Sequence, residues 1–258
     1  MKFLHILFSI IFLTFCLTVN AQKMDAKSKV LLEKLSTLNG NYDSLIALND
    51  VQFTYNKVIH GNTRTSQEKL IFKGEHSLST YKGEYKQQQG IVKRSSVNGK
   101  GTMSIDDEML MDEKSKKVAV YANSITFYWF TMMYKLSDPS TVSTYMGQER
   151  VDSIVYDKVK LVFDYSQLEK KSHDEYLLYF NPKTHLVDLF MYSATNGDVI
   201  KNPKAKVFVT YKVVQGIHVP VIRKHFKPND KGEWGIYGVF TFLDVVFDNG
   251  FEIEDFKF

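Results

Sequence analysis

Most of the chain follows a two-residue period of apolar and polar positions. Val51, Phe53 and Tyr55 alternate with polar neighbours, which is typical of a strand with one buried face. Turn residues such as Asn98-Gly99 separate further segments of this kind. After residues 51–56, the pattern predicts strands over 68–73, 76–81, 90–97, 102–105, 118–121, 157–165, 175–180, 186–193, 206–214, 221–227, 234–247 and 251–258. Consecutive strands joined by short turns predict an antiparallel meander.

One segment near the N-terminus has a helical period instead. Leu31, Leu35 and Leu38 fall on one stripe of residues 24–38, and Asn39-Gly40 follows as a helix stop. The spacing predicts an amphipathic helix that packs one face onto a sheet.

Residues 125–136 are apolar on nearly every side, with Trp129 at their centre. Aromatic residues favour a strand, whereas the methionines, the length and the flanking Asp138-Pro139 favour a helix. We predict a buried helix over 124–136. Twelve helical residues span about 18 Å, which is too short to cross a hydrocarbon core of about 30 Å. The concave face of the sheet is the expected cover.

Several late strands are apolar on both faces. Tyr176, Leu178 and Phe180 oppose Leu177 and Tyr179. In the strand over 234–247, the following residues are assigned to two opposite faces: Phe240 and Phe242 to one, and Val239, Leu243, Val245 and Phe247 to the other. Antiparallel strands that face water alternate cleanly, so we predict cover on both sides. The predicted fold class is α+β: an antiparallel, incomplete and half-open β-barrel wrapped around helices.

The first 21 residues read as a secretory signal peptide. Lys2 precedes an apolar run, and Val19-Asn20-Ala21 resembles a cleavage site. Cys16 follows Phe15 and lies inside the run, so we interpret it as part of the discarded peptide and not as a lipidation site. The expected mature chain, 22–258, is a single domain without a transmembrane span, periplasmic or secreted.

Charge and cysteine content narrow the class further. The net charge is +4, one unit lower without Lys2, and the lysines are scattered, which argues against nucleic acid as a partner. Cys16 is the only cysteine. An exported chain without disulfides must be stabilised by its own core, which a domain of this length can form.

Sequence motifs for catalysis or metal binding are weak. The S-x-x-K patterns at Ser66 and Ser79 need a helix start, yet both lie in strand-like sequence. His218 and His225 are seven apart in an extended segment, so they are expected on opposite faces. We therefore predict no catalytic residue, no metal site and no cofactor, and a protein that is not an enzyme.

Residues 147–161 and 179–187 carry a resemblance to a known superfamily. They are similar to the G-x-E-x-V-x-G … Y-x-L-x-L strand pair and the D-P-x-T-G-L hairpin of LolA-like periplasmic lipoprotein carriers, with Asn181 for the Asp and His185 for the Gly. The match covers about 145–195. It implies a half-barrel closed by helices, with an apolar cavity for acyl chains. The whole chain also resembles a family of secreted Gram-negative envelope proteins to which no activity attaches.

The resulting hypothesis is a soluble, monomeric binding protein. An apolar ligand, either a lipid or the acyl chain of an acylated protein, would lie between the curved sheet and the helix near 124–136. The candidate ligand-binding residues are Phe127, Trp129, Phe130, Met132, Met133, Tyr176, Leu178, Phe180, Phe240 and Phe242.

Two other readings remain open. The protein could be a structural or interaction module whose barrel is filled by its own side chains. It could also be a secreted hydrolase that uses an unrecognised serine or acid pair.

Overall fold

The computed structural model describes residues 25–163, 174–193 and 197–258. The predicted signal peptide, 1–21, lies outside these ranges. The helices are α1 (Ala26–Asn39), α2 (Tyr42–Ala47) and α3 (Glu113–Thr131), with 3-10 helices at Met132–Tyr134 and Ile253–Phe256. The strands are β1 (Asp50–Ile59), β2 (Asn62–Ile71), β3 (His76–Tyr85), β4 (Gln88–Val97), β5 (Lys100–Ile105), β6 (Glu108–Met109), β7 (Thr141–Val151), β8 (Ile154–Phe163), β9 (Glu175–Phe180), β10 (Val187–Tyr192), β11 (Ala205–Val214), β12 (Ile217–Pro228) and β13 (Trp234–Phe247).

All these strands form one antiparallel sheet. Its order is β6-β5-β4-β3-β2-β1-β13-β12-β11-β10-β9-β8-β7, so chain neighbours pair except where β1 meets β13. That pairing joins the two halves of the chain and places Val51 opposite Phe247. The sheet curves without closing, with β6 and β7 as its edges, and α1 and α3 lie on its concave face. The predicted half-open antiparallel barrel is confirmed.

The N-terminal helix agrees with its prediction, except that Leu38 of the predicted apolar stripe is 39% exposed. Asp25 caps α1, and its Oδ1 accepts hydrogen bonds from the backbone N–H groups of Lys27 and Ser28. Leu31 and Leu35 are buried against the sheet. The short helix α2 was not predicted, and Asn41 caps it through the backbone N–H of Ser44.

The central helix begins well before the predicted boundary. It starts at Glu113 and includes residues 118–121, for which the predicted strand is wrong. Val118 and Val120 suggested a strand because branched side chains favour one. Tertiary packing decides otherwise: Ala119 is fully buried against β5, and Gly101 lets the two backbones approach closely. The predicted helix over 124–136 is confirmed as far as Thr131, after which it tightens to a 3-10 turn.

The predicted last strand, 251–258, is also wrong. The Asp50 carboxylate accepts from the backbone N–H groups of Asn249 and Phe251, which turns the chain away from the sheet. A 3-10 helix follows, and Phe256 is buried on the side of β3 and β4 turned away from α3. Ser95 Oγ donates to the Phe256 carbonyl at 2.5 Å and fixes this segment.

The prediction of strands covered on both faces holds for β9 and fails for β13. On the convex side of β9, Leu177 and Tyr179 are buried in a small cluster with Val199. On β13, Leu243 and Val246 are 44% and 42% exposed.

The face assignment along β13 is wrong as well. Asp244 has φ +53° and marks an irregularity in the pairing with β1. The irregularity shifts the alternation of side chains by one position. Val245 and Phe247 therefore join Phe242 on the concave face, in one apolar cluster.

Candidate ligand-binding site

The end of α3 carries an aromatic face into the concave side of the sheet. Phe130 stacks on Phe53 of β1 with ring centroids 4.8 Å apart and contacts Phe242 of β13 at 5.3 Å. Phe127 is buried in the same cluster, and so is Tyr134, which donates from its hydroxyl to the His218 carbonyl at 3.1 Å. This half of the interior is filled with rings.

A second apolar cluster lies on the other side of the helix end. Met132 and Met133 pack with Leu178 and Phe180 of β9 and with Leu35 of α1. The Tyr128 hydroxyl hydrogen-bonds the Tyr176 hydroxyl in the same region.

The ten predicted ligand-binding residues are thus brought to one face of the sheet but divided between two clusters. The first contains Phe127, Phe130, Phe240 and Phe242, and the second contains Trp129, Met132, Met133, Tyr176, Leu178 and Phe180. Eight of them are buried, and only Trp129 and Phe240 keep partial exposure. Those two flank the same residue, His225, with ring centroids 5.6 and 4.4 Å away. Their role as ligand contacts stays a prediction.

Beneath Trp129 lies a buried guanidinium that sequence reasoning missed. Arg223 is only 1% exposed, and its Nη2 donates to the Trp129 carbonyl at 2.5 Å. Its guanidinium carbon lies 5.0 Å from the Phe242 ring centre. The guanidinium Nε also carries a proton, and it has no partner among the described residues, so a buried donor is left unsatisfied there.

No carboxylate within the described ranges forms an ion pair with Arg223. Burial lowers the pKa of Arg223, and the surrounding ionisable groups that oppose this are the phenols of Tyr55, Tyr211, Tyr134 and Tyr128. These phenols are neutral near pH 7, so they solvate the guanidinium without balancing its charge.

His225 lies two residues further along the same strand and on the same face. It is 3% exposed, and its Nε2 is buried without a partner in the part of the chain that the structure describes. Burial, with the nearby charges of Arg223 and Lys227, lowers the pKa of His225 to about 3. The ring is therefore neutral at physiological pH.

A second polar group lies across Tyr55, on β1 to β4. The Glu68 carboxylate accepts from Ser66 Oγ at 2.5 Å and from Ser79 Oγ at 2.9 Å, and Arg94 Nη2 donates to Ser79 Oγ at 3.2 Å. Burial raises the pKa of Glu68 and lowers that of the neighbouring Lys57 to about 8. We call these five residues (Lys57, Ser66, Glu68, Ser79 and Arg94) the Glu68 cluster.

The two serines of the S-x-x-K patterns therefore both belong to the Glu68 cluster. Each lies in a strand, as expected, and each donates to the same carboxylate. The signal available in the sequence was the alternation itself, since Ser66 and Glu68 are spaced by two and must share a face.

The sheet wall opens beside the aromatic interior. Pairing between β12 and β13 covers 222–228 and 234–241, and the two strands then separate. A cleft of about 420 Å³ lies in this gap, and its lining is mixed: Val221, Phe242 and Val245 are apolar, whereas Lys212 and Asp244 are charged. Gln215 closes the far end: its side-chain amide donates to the Phe247 carbonyl and accepts from the Phe247 N–H. Since Phe242 also contacts Phe130, the cleft reaches the ring cluster under α3.

Comparison with known proteins defines the class. The chain belongs to the DUF6503 family, a family of unknown function whose sequence profile matches residues 5–213. No curated protein matches the sequence. None of the helices in the described ranges combines the length and the hydropathy that a bilayer crossing needs.

Two solved structures have similar folds. A DUF1329 family protein from Desulfovibrio piger has a TM-score of 0.55 at 14% identity, covering 89% of this chain and 96% of that one. A putative outer membrane lipoprotein-sorting protein domain from Vibrio parahaemolyticus has a TM-score of 0.53 at 8% identity, covering 88% and 95%. The resemblance to LolA-like half-barrels is confirmed at the level of the fold.

Proposed function

We propose that this protein binds an apolar ligand, a lipid or the acyl chain of an acylated protein, between its curved sheet and the C-terminal end of α3. The carrying observation is the pair Trp129 and Phe240, which stay partly exposed above an otherwise buried aromatic interior. We propose binding and not catalysis, by a soluble monomer exported to the periplasm or beyond.

The driving force for such binding is burial of the chain. Each CH₂ removed from water contributes about 0.8 kcal/mol. The rings around Phe130 now occupy the interior, so an acyl chain must replace contacts among Phe53, Phe130 and Phe242. The hydrophobic contribution of these contacts depends on buried area and not on direction, so an incoming chain can take it over when the end of α3 shifts.

The fold supports this proposal, because a putative lipoprotein-sorting domain shares it. The cleft between β12 and β13 supports it further, since the apolar part of its lining includes Phe242. An acyl chain entering there would meet the aromatic face of α3.

A specific observation favours a second candidate, a structural or interaction module with a self-filled barrel. Phe130 is completely buried and stacks on Phe53, so the interior of the described structure is already occupied by its own side chains. The two candidate functions differ in whether the end of α3 shifts to admit a ligand.

Tryptophan fluorescence separates them. The chain has two tryptophans, Trp129 at the proposed site and Trp234 at the start of β13. In a Trp234→Phe variant, Trp129 is the sole reporter. A brominated fatty acid should quench its emission in a saturable way, because the bromine atoms would lie beside the ring. The matched Trp129→Phe variant reports from Trp234, away from the site, and should show no saturable quenching.

The proposal also predicts co-purifying lipid. Native mass spectrometry of the protein from its own envelope should show bound mass that organic solvent removes. A lipid-free protein whose Trp129 also ignores the brominated acid would refute the binding function and leave the self-filled module.

A further inference from the structure

We propose that the ligand carries an anionic head group, a carboxylate or a phosphate monoester on an apolar chain, and that Arg223 and His225 bind this group. The inference rests on the proposed function and names its ligand class. It goes beyond that function because acyl-chain burial alone would treat acids and alcohols alike.

Two buried nitrogen atoms on one strand face lack partners. Arg223 Nε and His225 Nε2 are both buried and unbonded within the described structure. The residues are two apart on β12, so their side chains share a face, with Cα atoms about 7 Å apart. A single acid group placed between them can accept a hydrogen bond from the guanidinium and another from the Nε2–H of the neutral imidazole.

The electrostatics favour an anion over a neutral group. An isolated buried cation is costly, and its usual remedy is a carboxylate or phosphate that forms charge-assisted hydrogen bonds. Arg223 is surrounded by tyrosines and receives no carboxylate from the described residues. The planar fork of Arg matches two oxygens of one acid group, a geometry that Lys does not offer.

Across Tyr55, the Glu68 cluster adds further positive charge to this part of the interior. It contributes two cations, Lys57 and Arg94, against one carboxylate. The concave wall around Tyr55 therefore has an excess of positive charge, which attracts an anionic group into the interior.

The apolar surroundings accommodate the rest of an amphiphile. Trp129 lies over His225, and Phe242 lies 5.0 Å from the guanidinium of Arg223. Phe242 also lines the cleft between β12 and β13. A head group held by Arg223 would thus leave its chain beside the rings of the interior and within reach of this cleft.

Three matched ligands test the proposal: dodecanoate, dodecyl phosphate and dodecan-1-ol. They share one chain, and only the first two are anions at pH 8. Binding is followed by Trp129 emission in the Trp234→Phe background. We expect at least one acid to bind about tenfold or more tighter than the alcohol, as charge-assisted bonds to Arg223 require. Whichever of the two anions binds more tightly identifies the head group as a carboxylate or a phosphate.

Variants assign the preference to Arg223. Arg223→Met keeps much of the side-chain volume and removes the charge, so it should weaken acid binding far more than alcohol binding and thereby abolish the preference for acid. Lys224→Met is the matched control, because Lys224 is the next residue and is exposed on the opposite face. It should retain the full preference. Arg223→Lys keeps the charge without the fork and should retain part of it.

The outcomes separate the inference from the proposed function. Equal binding of acids and alcohol, or a preference that survives in Arg223→Met, overturns the head-group site and leaves the binding function standing. Failure of all three ligands overturns both. Should Arg223→Met not fold, the ratio in the parent protein together with Arg223→Lys decides.

Discussion

The two halves of α3 are held on the same sheet by different forces. In the first half, residues 113–123, the close apolar packing of Ala119 is combined with hydrogen bonds to the sheet backbone: the Asn123 amide donates to the carbonyls of Ser77 and Arg94 at 3.1 and 2.9 Å. In the second half, residues 124–131, contacts are mainly aromatic rings, with hydrogen bonds from Arg223 to the Trp129 carbonyl and between the hydroxyls of Tyr128 and Tyr176.

This difference bears on function. Hydrogen bonds to strand carbonyls fix position and register, and breaking them leaves buried polar groups unsatisfied. Apolar contacts depend mainly on buried area, so another apolar partner can replace them. If the proposed function is correct, the first half of α3 acts as an anchor and the second half is the part that the ligand displaces; we call them the anchor and the displaceable half.

The largest effect is expected from emptying the aromatic half. Phe130→Ala removes a fully buried ring from its stack with Phe53, and large-to-small changes of this kind cost about 3–5 kcal/mol. Urea unfolding measures the loss. The control is Tyr121→Ala on the same helix, 69% exposed, which should stay within about 0.5 kcal/mol. A similar cost at both positions would contradict the packed interior.

The next effect concerns the anchor's close approach. A Cβ on Gly101 would lie 2.1 Å from the Lys116 carbonyl oxygen, so Gly101→Ala must push α3 off β5. Overpacking lowers the free energy of unfolding by about 1–3 kcal/mol. We expect a value near the top of this range, because the added Cβ meets backbone atoms and not a flexible side chain. Gly235→Ala is the matched control, since nothing lies within 4 Å of its added Cβ. If thermal melts of the two variants agree, the contact at Gly101 does not hold the helix.

A smaller effect is expected from the anchor's hydrogen bonds. Asn123→Ala leaves the Ser77 and Arg94 carbonyls without their donor. The free energy of unfolding should fall by about 1–3 kcal/mol. Hydrogen exchange should then speed up across residues 113–123 more than across 124–131. Ser124→Ala, an exposed neighbour, should leave both rates unchanged. Uniform acceleration in Asn123→Ala would mean that the two halves do not open separately.

The sequence predicted the displaceable half better than the anchor. A run around Trp129 without a polar side must be covered, and this holds wherever the helix begins. The start at Glu113 is capped by the Asp112 side chain, which accepts from the Ser115 N–H, a local signal that the prediction overlooked. The close packing of this half on β5 depends on Gly101, and the pattern of the helix itself does not encode that contact. Residues around Val118 have a local strand preference that this contact overrides.

The polar part of the site escaped prediction for a related reason. Along β12, Ile222 and Phe226 alternate with Arg223 and His225, and hydrophobicity alone would turn the apolar pair inward. The structure does the reverse, because Arg223 pairs with Phe240 and directly opposed residues share a face. Phe226 instead packs on Phe208 on the convex side, at 5.6 Å. The orientation of a strand is set by its register with neighbours, which its own sequence does not contain.

The smallest effect appears only in acid and again concerns the displaceable half. His225 faces the rings of Trp129 and Phe240 and the charges of Arg223 and Lys227, and its pKa falls to about 3 on folding. A histidine whose pKa is lowered in the folded state is neutral there but takes up a proton when unfolded below pH 6.5. Its stabilising contribution is therefore complete above pH 6.5 and is lost as the pH falls towards 3.

Urea unfolding at pH 8 and pH 5.5 checks this sign. One histidine with this shift in pKa lowers the free energy of unfolding by about 1.4 kcal/mol at pH 5.5 relative to pH 8. His225→Gln cannot take up the proton. Between pH 8 and pH 5.5 its free energy of unfolding should therefore fall by less than that of the parent protein, and the difference should equal this amount. His60→Asn changes an exposed histidine at a left-handed position that Asn tolerates, and it should keep the parent slope. If His225→Gln keeps the parent slope as well, His225 is not held neutral beneath Trp129, and acid would not loosen this end of α3 ahead of its anchored start.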